Sequence, residues 1–506
     1  MAYIKKFIYN WYPLFLILIP ALFFRIHLLI NRGTFWFDEL FSIHFSTIPS
    51  WSDTIKYWIL ETNPPLYTFF LRFYLRLIDN SNEILVRLPS LFFSIASIIL
   101  LYIFAQKIFS KRTAIISSIL LSISGLNLLI STETRIYSLL TLLTILSFIF
   151  FYKLIISKEK ENFNKNYLWI IYLLTNLLLL YAHLTSVVIV LIQLFVLHIS
   201  RPQKETFKKW YGGHILISSI FLIWFIPSFY SKFNSQISSA WYFSADGNLF
   251  DLILKPLINS IEGGFIGTLF YILIILSVYL LILMIKNNSN TKEKNILIMV
   301  SLWAFLPPIF SSLLHVYILK YITISYPAIF LIFAYIADKH IKSSKLLFLL
   351  SFVIIMISLP RTIEVGFNPI FSWDSTIDYI EENENENTFT LIPFTEALPL
   401  NYYYRGPRPI EPIYLNDDNL SFEERLVIFN WNTMNTNKEE IREWLIDKIE
   451  KNNAKTIFFI QPSTGYEIVH ETFLDMNWTL KNIHKQKGLS LNQLFEFEAP
   501  EFVECK

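Results

Sequence analysis

The stretch "YPLFLILIPALFFRIHLLINRGTFWFDELFSIHFS", residues 12–46, decides how the rest of the chain is read. Its first half is an apolar run long enough to cross a bilayer, which takes about 20 residues as a helix. Its second half sets two acids, Asp38 and Glu39, side by side among aromatic residues. The composition agrees with the first half: of 506 residues, 54% are hydrophobic, 17% aromatic and 16% charged. Soluble domains carry about 25% charged residues, so the deficit points to a polytopic α-helical membrane protein, whose interfaces favour Trp and Tyr. A net charge of +2 supplies no field to recruit nucleic acid. The one cysteine, Cys505, cannot form an intrachain disulfide, so cysteine usage does not report the compartment. Lys5 and Lys6 precede the first apolar run and no small-residue cleavage site follows it, so it is expected to be a retained anchor.

About eleven spans are predicted, at roughly 12–30, 86–105, 113–130, 136–156, 167–182, 184–199, 214–231, 264–285, 295–313, 321–338 and 345–360. The runs 113–156 and 167–199 are too long for one crossing, and one polar knot cuts each, so each reads as two helices with a tight turn. Lys and Arg orient the set, because short cytoplasmic loops collect them. One series of loops holds Lys107, Lys111 and Arg112; Lys158, Lys160 and Lys165; Arg201, Lys204, Lys208 and Lys209; Lys286, Lys292 and Lys294; and Lys339, Lys342 and Lys345. The opposite series, after the first loop, holds only Arg135, Lys232, Lys255 and Lys320. The N-terminus is therefore expected in the cytoplasm and the C-terminal part outside it, in a multi-pass protein of a bacterial inner membrane.

The first outer loop, 31–85, contains "FDELFSIHFSTI" and "WSDTIKYWILET", both with helical apolar spacing. "NPPLYTFFLRFYLRLI" follows, with Arg72 and Arg76 four apart, and predicts a helix lying in the interface. Beyond Pro360 the composition turns polar. Runs at 388–393, 425–430, 455–461 and 492–498 read as strands, and 436–452 as an amphipathic helix with Thr436 as N-cap. The expected organisation is a transmembrane domain, 1–360, followed by a small extracytoplasmic α/β domain, 361–506.

Ionisable residues in or beside spans are costly and usually retained for function. Asp38, Glu39, Glu133, Arg135, His183 and Lys320 all fall on the expected outer side, although the orientation scarcely used them. They are expected to converge on one outward-facing cavity. There Arg135 and Lys320 suit a phosphate, and a carboxylate suits a general base acting on an acceptor hydroxyl or amine. Together they suggest transfer of a sugar from a polyprenyl phosphate. No cofactor is assigned; a divalent cation at Asp38, Glu39 and His183 stays open, without compact ligand spacing to signal it.

An ordered set of motifs over about 10–340 resembles the lipid-linked-sugar glycosyltransferases of the GT-C fold, in particular the bacterial protein-mannosyltransferase-like and aminoarabinose-transferase-like group. "FWFDELFS" resembles that group's acidic pair. "NPPLYTFF" followed by "VRLPS" resembles its Pro-Pro-Leu-Tyr and Arg-Leu-Pro-Ser elements. "STETRIYSLL" resembles its Glu-x-Arg-x-Tyr element, "YAHLTS" its Tyr-x-His turn, and "LKYITISYPAIFLIFAY" its late Arg-Tyr…Pro element. The chain departs from the group at Asn63, where His is frequent, and at Lys320, where Arg is frequent. The resemblance implies an inverting transferase with Asp38 as base and Glu39 in support. It also implies substrate contacts from Lys320, Arg135, Glu133, His183, Asn63 and Tyr321, with a polyprenyl-phosphate sugar as donor and a lipid, glycan or protein as acceptor.

Structural roles compete with each assignment. Asp38 and Glu39 suit an ordinary helix N-terminus. Glu133 and Arg135, two apart, do not face each other on a helix, so each needs its own partner. His183 also reads as a hydrogen-bonded interface histidine. Arg25 and His27, inside the first span, read as helix–helix or headgroup contacts, and the tyrosines of "NYYYRG" (401–406) as packing. The rival functions are a transporter or flippase of lipid-linked sugars and a non-catalytic envelope-assembly subunit. Against the transporter, no inverted repeat with broken mid-membrane helices is visible.

Overall fold

The computed structural model describes residues 2–61, 63–79, 81–157, 165–234, 248–254, 278–343, 371–413, 421–428, 438–461, 466–485, 487–488 and 493–500. The chain divides into two compact units. One comprises Met1–Leu29, Glu61–Ser235 and Tyr242–Phe367; the other comprises Ile30–Leu60, Gln236–Trp241 and Asn368–Lys506. Residues 31–60 of the first loop therefore group with the C-terminal segment, a division that the break in composition after Pro360 does not reveal.

The first unit is helical. Among the described residues, six helical segments are long and apolar enough to cross a membrane: Trp11–Asn31, Glu83–Ile108, Tyr137–Ile156, Lys204–Ser231, Thr291–Leu313 and Leu319–His340. Shorter apolar helices cover Asn166–Ala182, Ser186–Ser200 and Val278–Asn287. Turns fall at 131–136 and 183–185, where the polar knots were expected to cut the long runs. The expected span at 113–130 is broken into Lys111–Ile123 and Gly125–Ile130. Ser124 leaves the helical conformation there, and its hydroxyl accepts the Asn127 side-chain amide at 3.1 Å. The expected span at 345–360 and most of 264–285 lie outside the described residues.

Large apolar side chains remain exposed along these helices, including Phe15, Ile19 and Phe23 on the first and Ile215, Ile223 and Phe229 on Lys204–Asn234. Such faces suit hydrocarbon as solvent and would be costly in water. Polar groups turn inward instead. Arg25 is fully buried and donates to the hydroxyl of Ser94 at 3.0 Å and to the carbonyls of Ala21 and Ser122 at 3.2 and 3.0 Å, tying three helices together. A second network joins four helices: Gln193 donates to Ser147 at 2.6 Å, Ser147 to Asn176 at 2.6 Å, and Tyr172 to Gln193 at 2.7 Å. Trp210 closes it by donating to the Tyr172 hydroxyl at 3.0 Å. A satisfied buried network sets which helix faces meet, because hydrocarbon offers these groups no other partner. Gly213 permits close approach here, since a Cβ on it would meet the Leu173 side chain at 2.5 Å.

The helix Leu66–Tyr74 differs from expectation in one respect: Arg72 is buried, while Phe69, Phe73 and Leu77 are exposed. Its outward face is aromatic and apolar, and Arg76 lies beyond the helix with its guanidinium over the Phe73 ring.

Among the described residues, the second unit is built on a five-stranded sheet of order β3-β2-β4-β7-β5. The strands are β2 (Thr388–Pro393), β3 (Ile410–Ile413), β4 (Thr456–Gln461), β5 (Thr479–Lys485) and β7 (Gln493–Glu498); β1 (Phe371–Ser372) and β6 (Lys487–Gly488) pair separately. β2 runs parallel to β3 and β4, whereas β7 is antiparallel to β4 and β5. β2 is buried along its whole length, as expected of an apolar strand covered on both faces. The pleat of β4 sends Ile457 and Phe459 to one core with the helices Lys438–Lys451 and Glu467–Asp475. Phe458 and Ile460 face the other core, with Asp374–Asn383 and Phe394–Tyr403. Strands at 388–393, 455–461 and 492–498 match β2, β4 and β7, but the strand expected at 425–430 is instead the helix Phe422–Ile428. Ser421 and Glu424 cap it reciprocally: the Glu424 N–H donates to the Ser421 hydroxyl at 3.2 Å, and the Ser421 N–H to the Glu424 carboxylate at 3.0 Å. The expected N-cap Thr436 lies outside the described residues.

Candidate functional site

In the helical unit, four separate segments bring polar residues together at the turns expected to face outward. The turn 131–136 is buried despite its polarity: Ser131, Thr132, Glu133 and Thr134 are each at most 1% exposed. Its backbone is satisfied internally. Ser90 donates to the Glu133 carbonyl at 2.5 Å, Ser138 to the Ile130 carbonyl at 2.8 Å, and the Arg135 N–H to the Glu133 carbonyl at 2.8 Å. Pinned this way, the turn aims the Glu133 carboxylate at Lys320, which begins a 3-10 segment, Leu319–Ser325. The Lys320 ammonium donates to Glu133 Oε1 at 2.6 Å and stands 5.8 Å from the centroid of the Tyr137 ring. The Lys320 side chain is 26% exposed against 1% for Glu133, so the pair holds a partly accessible cation on a buried anion. Glu133 Oε2 is buried with no hydrogen-bond partner among the described residues.

His183 completes the cluster. Its ring centre lies 4.8 Å from that of Tyr321 and 6.3 Å from that of Tyr137. Its Nδ1 accepts the Thr185 N–H at 3.3 Å and lies 2.9 Å from the Thr185 hydroxyl, which places the proton of the neutral ring on Nε2. Burial, with the charge of Arg135 adding to it, pushes His183 down to about 4, so the ring is neutral at physiological pH. Glu133, Arg135, His183, Lys320 and Tyr321 are thus gathered within one unit. Sequence reasoning did not single out Tyr137 and Thr185. Both stand inside quoted motifs, "ETRIYS" and "AHLTS", and the readable signal was their two-residue spacing from Arg135 and His183.

Asn63 lies in the same unit, where its side-chain amide donates to Glu61 at 2.8 Å. Asp38 and Glu39 belong to the other unit, in the first turn of the helix Phe37–Thr47. Glu39 is fully buried and accepts the Trp36 N–H at 3.5 Å, whereas Asp38 is half-buried. The helix is held in its unit by the segment before it. Gly33, with φ of 85°, turns the chain, the Thr34 hydroxyl accepts the Trp373 N–H at 2.9 Å, and the Phe35 N–H donates to the Tyr403 hydroxyl at 2.7 Å. The tyrosines of "NYYYRG" are thereby structural: Tyr402 packs edge-on against Phe35, and Tyr404 bonds Glu384 and the Arg408 N–H. Among the described residues, no group of three or more His, Cys, Asp or Glu is arranged to hold a metal ion.

Solved structures share the overall fold of this chain. ArnT from Cupriavidus metallidurans in the apo state superposes with a TM-score of 0.57 at 11% identity, covering 96% of this chain and 97% of that one. The same protein bound to undecaprenyl phosphate gives 0.57 at 10% identity, with the same coverage. This chain has the GT-C fold. Another GT-C protein, the Archaeoglobus fulgidus oligosaccharyltransferase in complex with Zn and sulfate, gives 0.50 at 12% identity, over 96% of this chain and 74% of that one. Residues 62–230 match the family model described as dolichyl-phosphate-mannose-protein mannosyltransferase. No curated protein matches the chain in sequence.

Proposed function

We propose that this GT-C chain is an inverting glycosyltransferase of the inner membrane. It moves a sugar from a polyprenyl phosphate to an extracytoplasmic lipid, glycan or protein. The Asp38 carboxylate takes the proton of the acceptor hydroxyl or amine. The acceptor bonds to the anomeric carbon as the bond from that carbon to the phosphate oxygen breaks, and the polyprenyl phosphate leaves with the electron pair. Glu39 fixes the helix that carries Asp38. Lys320 and Arg135 balance the departing phosphate, Glu133 sets the position of Lys320, and His183, Tyr321 and Asn63 line the donor site.

The observation that carries this reading is the Lys320 ammonium, held at 2.6 Å by a buried carboxylate yet still partly exposed. A cation fixed beforehand stabilises charge as it develops on the leaving group, without reorganising during the reaction. The match of residues 62–230 to a family model whose description names a dolichyl-phosphate sugar supports the same donor class. The test is sugar transfer in membranes supplied with radiolabelled polyprenyl-phosphate sugars. Label reaching an acceptor with the wild type, none with Asp38→Asn, and weakened donor use with Lys320→Ala are expected. Unimpaired transfer by Asp38→Asn, or movement of lipid-linked sugar across the bilayer without donor consumption, would overturn the proposal.

A further inference from the structure

The turn 183–185 holds a buried donor for which the fold supplies no acceptor. His183 is 4% exposed. Its ring is tied to Thr185 through Nδ1, by the Thr185 N–H at 3.3 Å and by the Thr185 hydroxyl at 2.9 Å. With Nδ1 accepting, the hydroxyl donates, and the proton of the neutral ring stands on Nε2, on the side away from Thr185. Among the described residues Nε2 makes no hydrogen bond. A buried N–H left without an acceptor is costly and rare in folded chains.

Thr185 is placed for a different task from the one it performs. It is the N-cap of the helix Ser186–Ser200, where a threonine hydroxyl ordinarily accepts an N–H of the first turn. Here it makes no capping bond and turns to His183 instead. The helix start is satisfied without it: the N–H groups of Ser186, Val187 and Val188 go to the carbonyls of His183, Leu184 and Thr185 at 3.0, 3.2 and 3.1 Å. The surroundings then select the sign of what Nε2 can meet. The His183 ring and the Lys320 ammonium share the Tyr137 ring, 6.3 Å from it between centres and 5.8 Å from its centroid. Arg135 stands near enough for its charge, after burial, to disfavour protonation of His183. Glu133 is paired with Lys320 at 2.6 Å. Neither cation can accept a hydrogen bond, whereas an anionic oxygen drawn to them can.

We propose that the His183 Nε2–H donates to a non-bridging phosphate oxygen of the polyprenyl-phosphate sugar, and that Thr185 is the positioning residue that fixes the ring for it. The identity of the donor rests on the transferase reading above. A neutral imidazole adds a hydrogen bond to the phosphate without adding a third positive charge beside Lys320 and Arg135. A ring already oriented by Thr185 needs no reorganisation as charge develops on the leaving group.

The test measures polyprenyl phosphate binding and sugar transfer with the full chain in nanodiscs. The amide nitrogen of Asn stands roughly where Nδ1 does, and that of Gln roughly where Nε2 does, so the two replacements separate the two bonds of the ring. His183→Asn and Thr185→Val are expected to weaken polyprenyl phosphate binding and to raise the donor KM about tenfold, with the acceptor KM unchanged. His183→Gln and Thr185→Ser should recover most of the affinity. The comparison of Thr185→Val with Thr185→Ser holds even if His183→Asn folds poorly. A ring that serves only its own turn gives the opposite order, with Asn tolerated and Gln not. That order, or equal binding by all variants, overturns the proposal, and sugar transfer by the wild type alongside it leaves the transferase reading standing. The expected order in binding without any transfer by the wild type would keep the phosphate contact and refute the transferase reading. A wild type that binds no polyprenyl phosphate would refute both.

Discussion

At the scale of single residues, the Glu133–Lys320 pair and His183 decide the character of the cluster. Glu133 is almost completely buried, so removing its charge leaves Lys320 beside a neutral amide. Breaking a buried pair costs about 3–5 kcal/mol, and the partial exposure of Lys320 puts this case at or below the lower end. Glu133→Gln is expected to lower the unfolding temperature in detergent by several degrees, and Glu133→Gln/Lys320→Met to recover much of that loss. Additive losses in the double variant would refute coupling of the two. His183 titrates lower in the folded chain, at about 4, than its ordinary 6.5, so between these values the unfolded chain binds more protons. Stability from this residue is complete above pH 6.5 and is lost as pH falls toward 4, by an amount on the order of 3 kcal/mol. His183→Gln should flatten that part of the melting-temperature profile; an unchanged slope would remove His183 as its cause.

At the scale of elements, the helix Phe37–Thr47 owes its place to long-range contacts. It packs on Phe394–Tyr403, and the hydroxyl of Tyr403 takes the Phe35 N–H just ahead of it. The next helix, Trp51–Leu60, packs on Phe422–Ile428, and Lys56 reaches Glu424 at 2.7 Å. That exposed ion pair contributes little, while losing the half-buried Tyr403 hydroxyl takes an acceptor from the buried Phe35 N–H, at a cost of about 1–3 kcal/mol. Tyr403→Phe should therefore raise hydrogen exchange across residues 34–47, and Lys56→Ala should leave it nearly unchanged. Equal effects would show that the segment is not anchored at Phe35. The Phe422–Ile428 helix also shows where local reading goes astray. "RLVIFN" has a strand composition, but "SFEE" immediately before it carries the Ser-x-x-Glu capping signal that decides for helix.

At the scale of the whole molecule, the division into units changes what removal of the C-terminal segment should do. From position alone, deleting residues 366–506 is expected to alter acceptor preference and spare donor binding. In the structure residues 30–60 group with 368–506, so deletion also strips Phe35 and Leu40 of their packing and uncovers the helix bearing Asp38. A chain ending before residue 371 is expected to lose transfer altogether while still binding a polyprenyl phosphate. Retained transfer with altered acceptor choice would show that the Asp38 helix is held without that segment.

The sequence by itself determined the properties that act locally or through the solvent. Apolar runs longer than a bilayer is thick dictate spanning helices, because hydrocarbon leaves the backbone no hydrogen-bond partner outside the helix. Polar knots such as "STETR" and "AHLTS" mark the turns, and β2 and β4 are legible as apolar runs between turn residues. Only the tertiary structure decided which distant residues meet. That Glu133 pairs with Lys320, 187 positions away, that Arg25 reaches Ser94 and Ser122, and that Phe35 bonds Tyr403 depends on how helices and strands pack. No local spacing encodes such contacts: a buried charge or N–H requires a partner, but its identity is set by the faces that packing brings together.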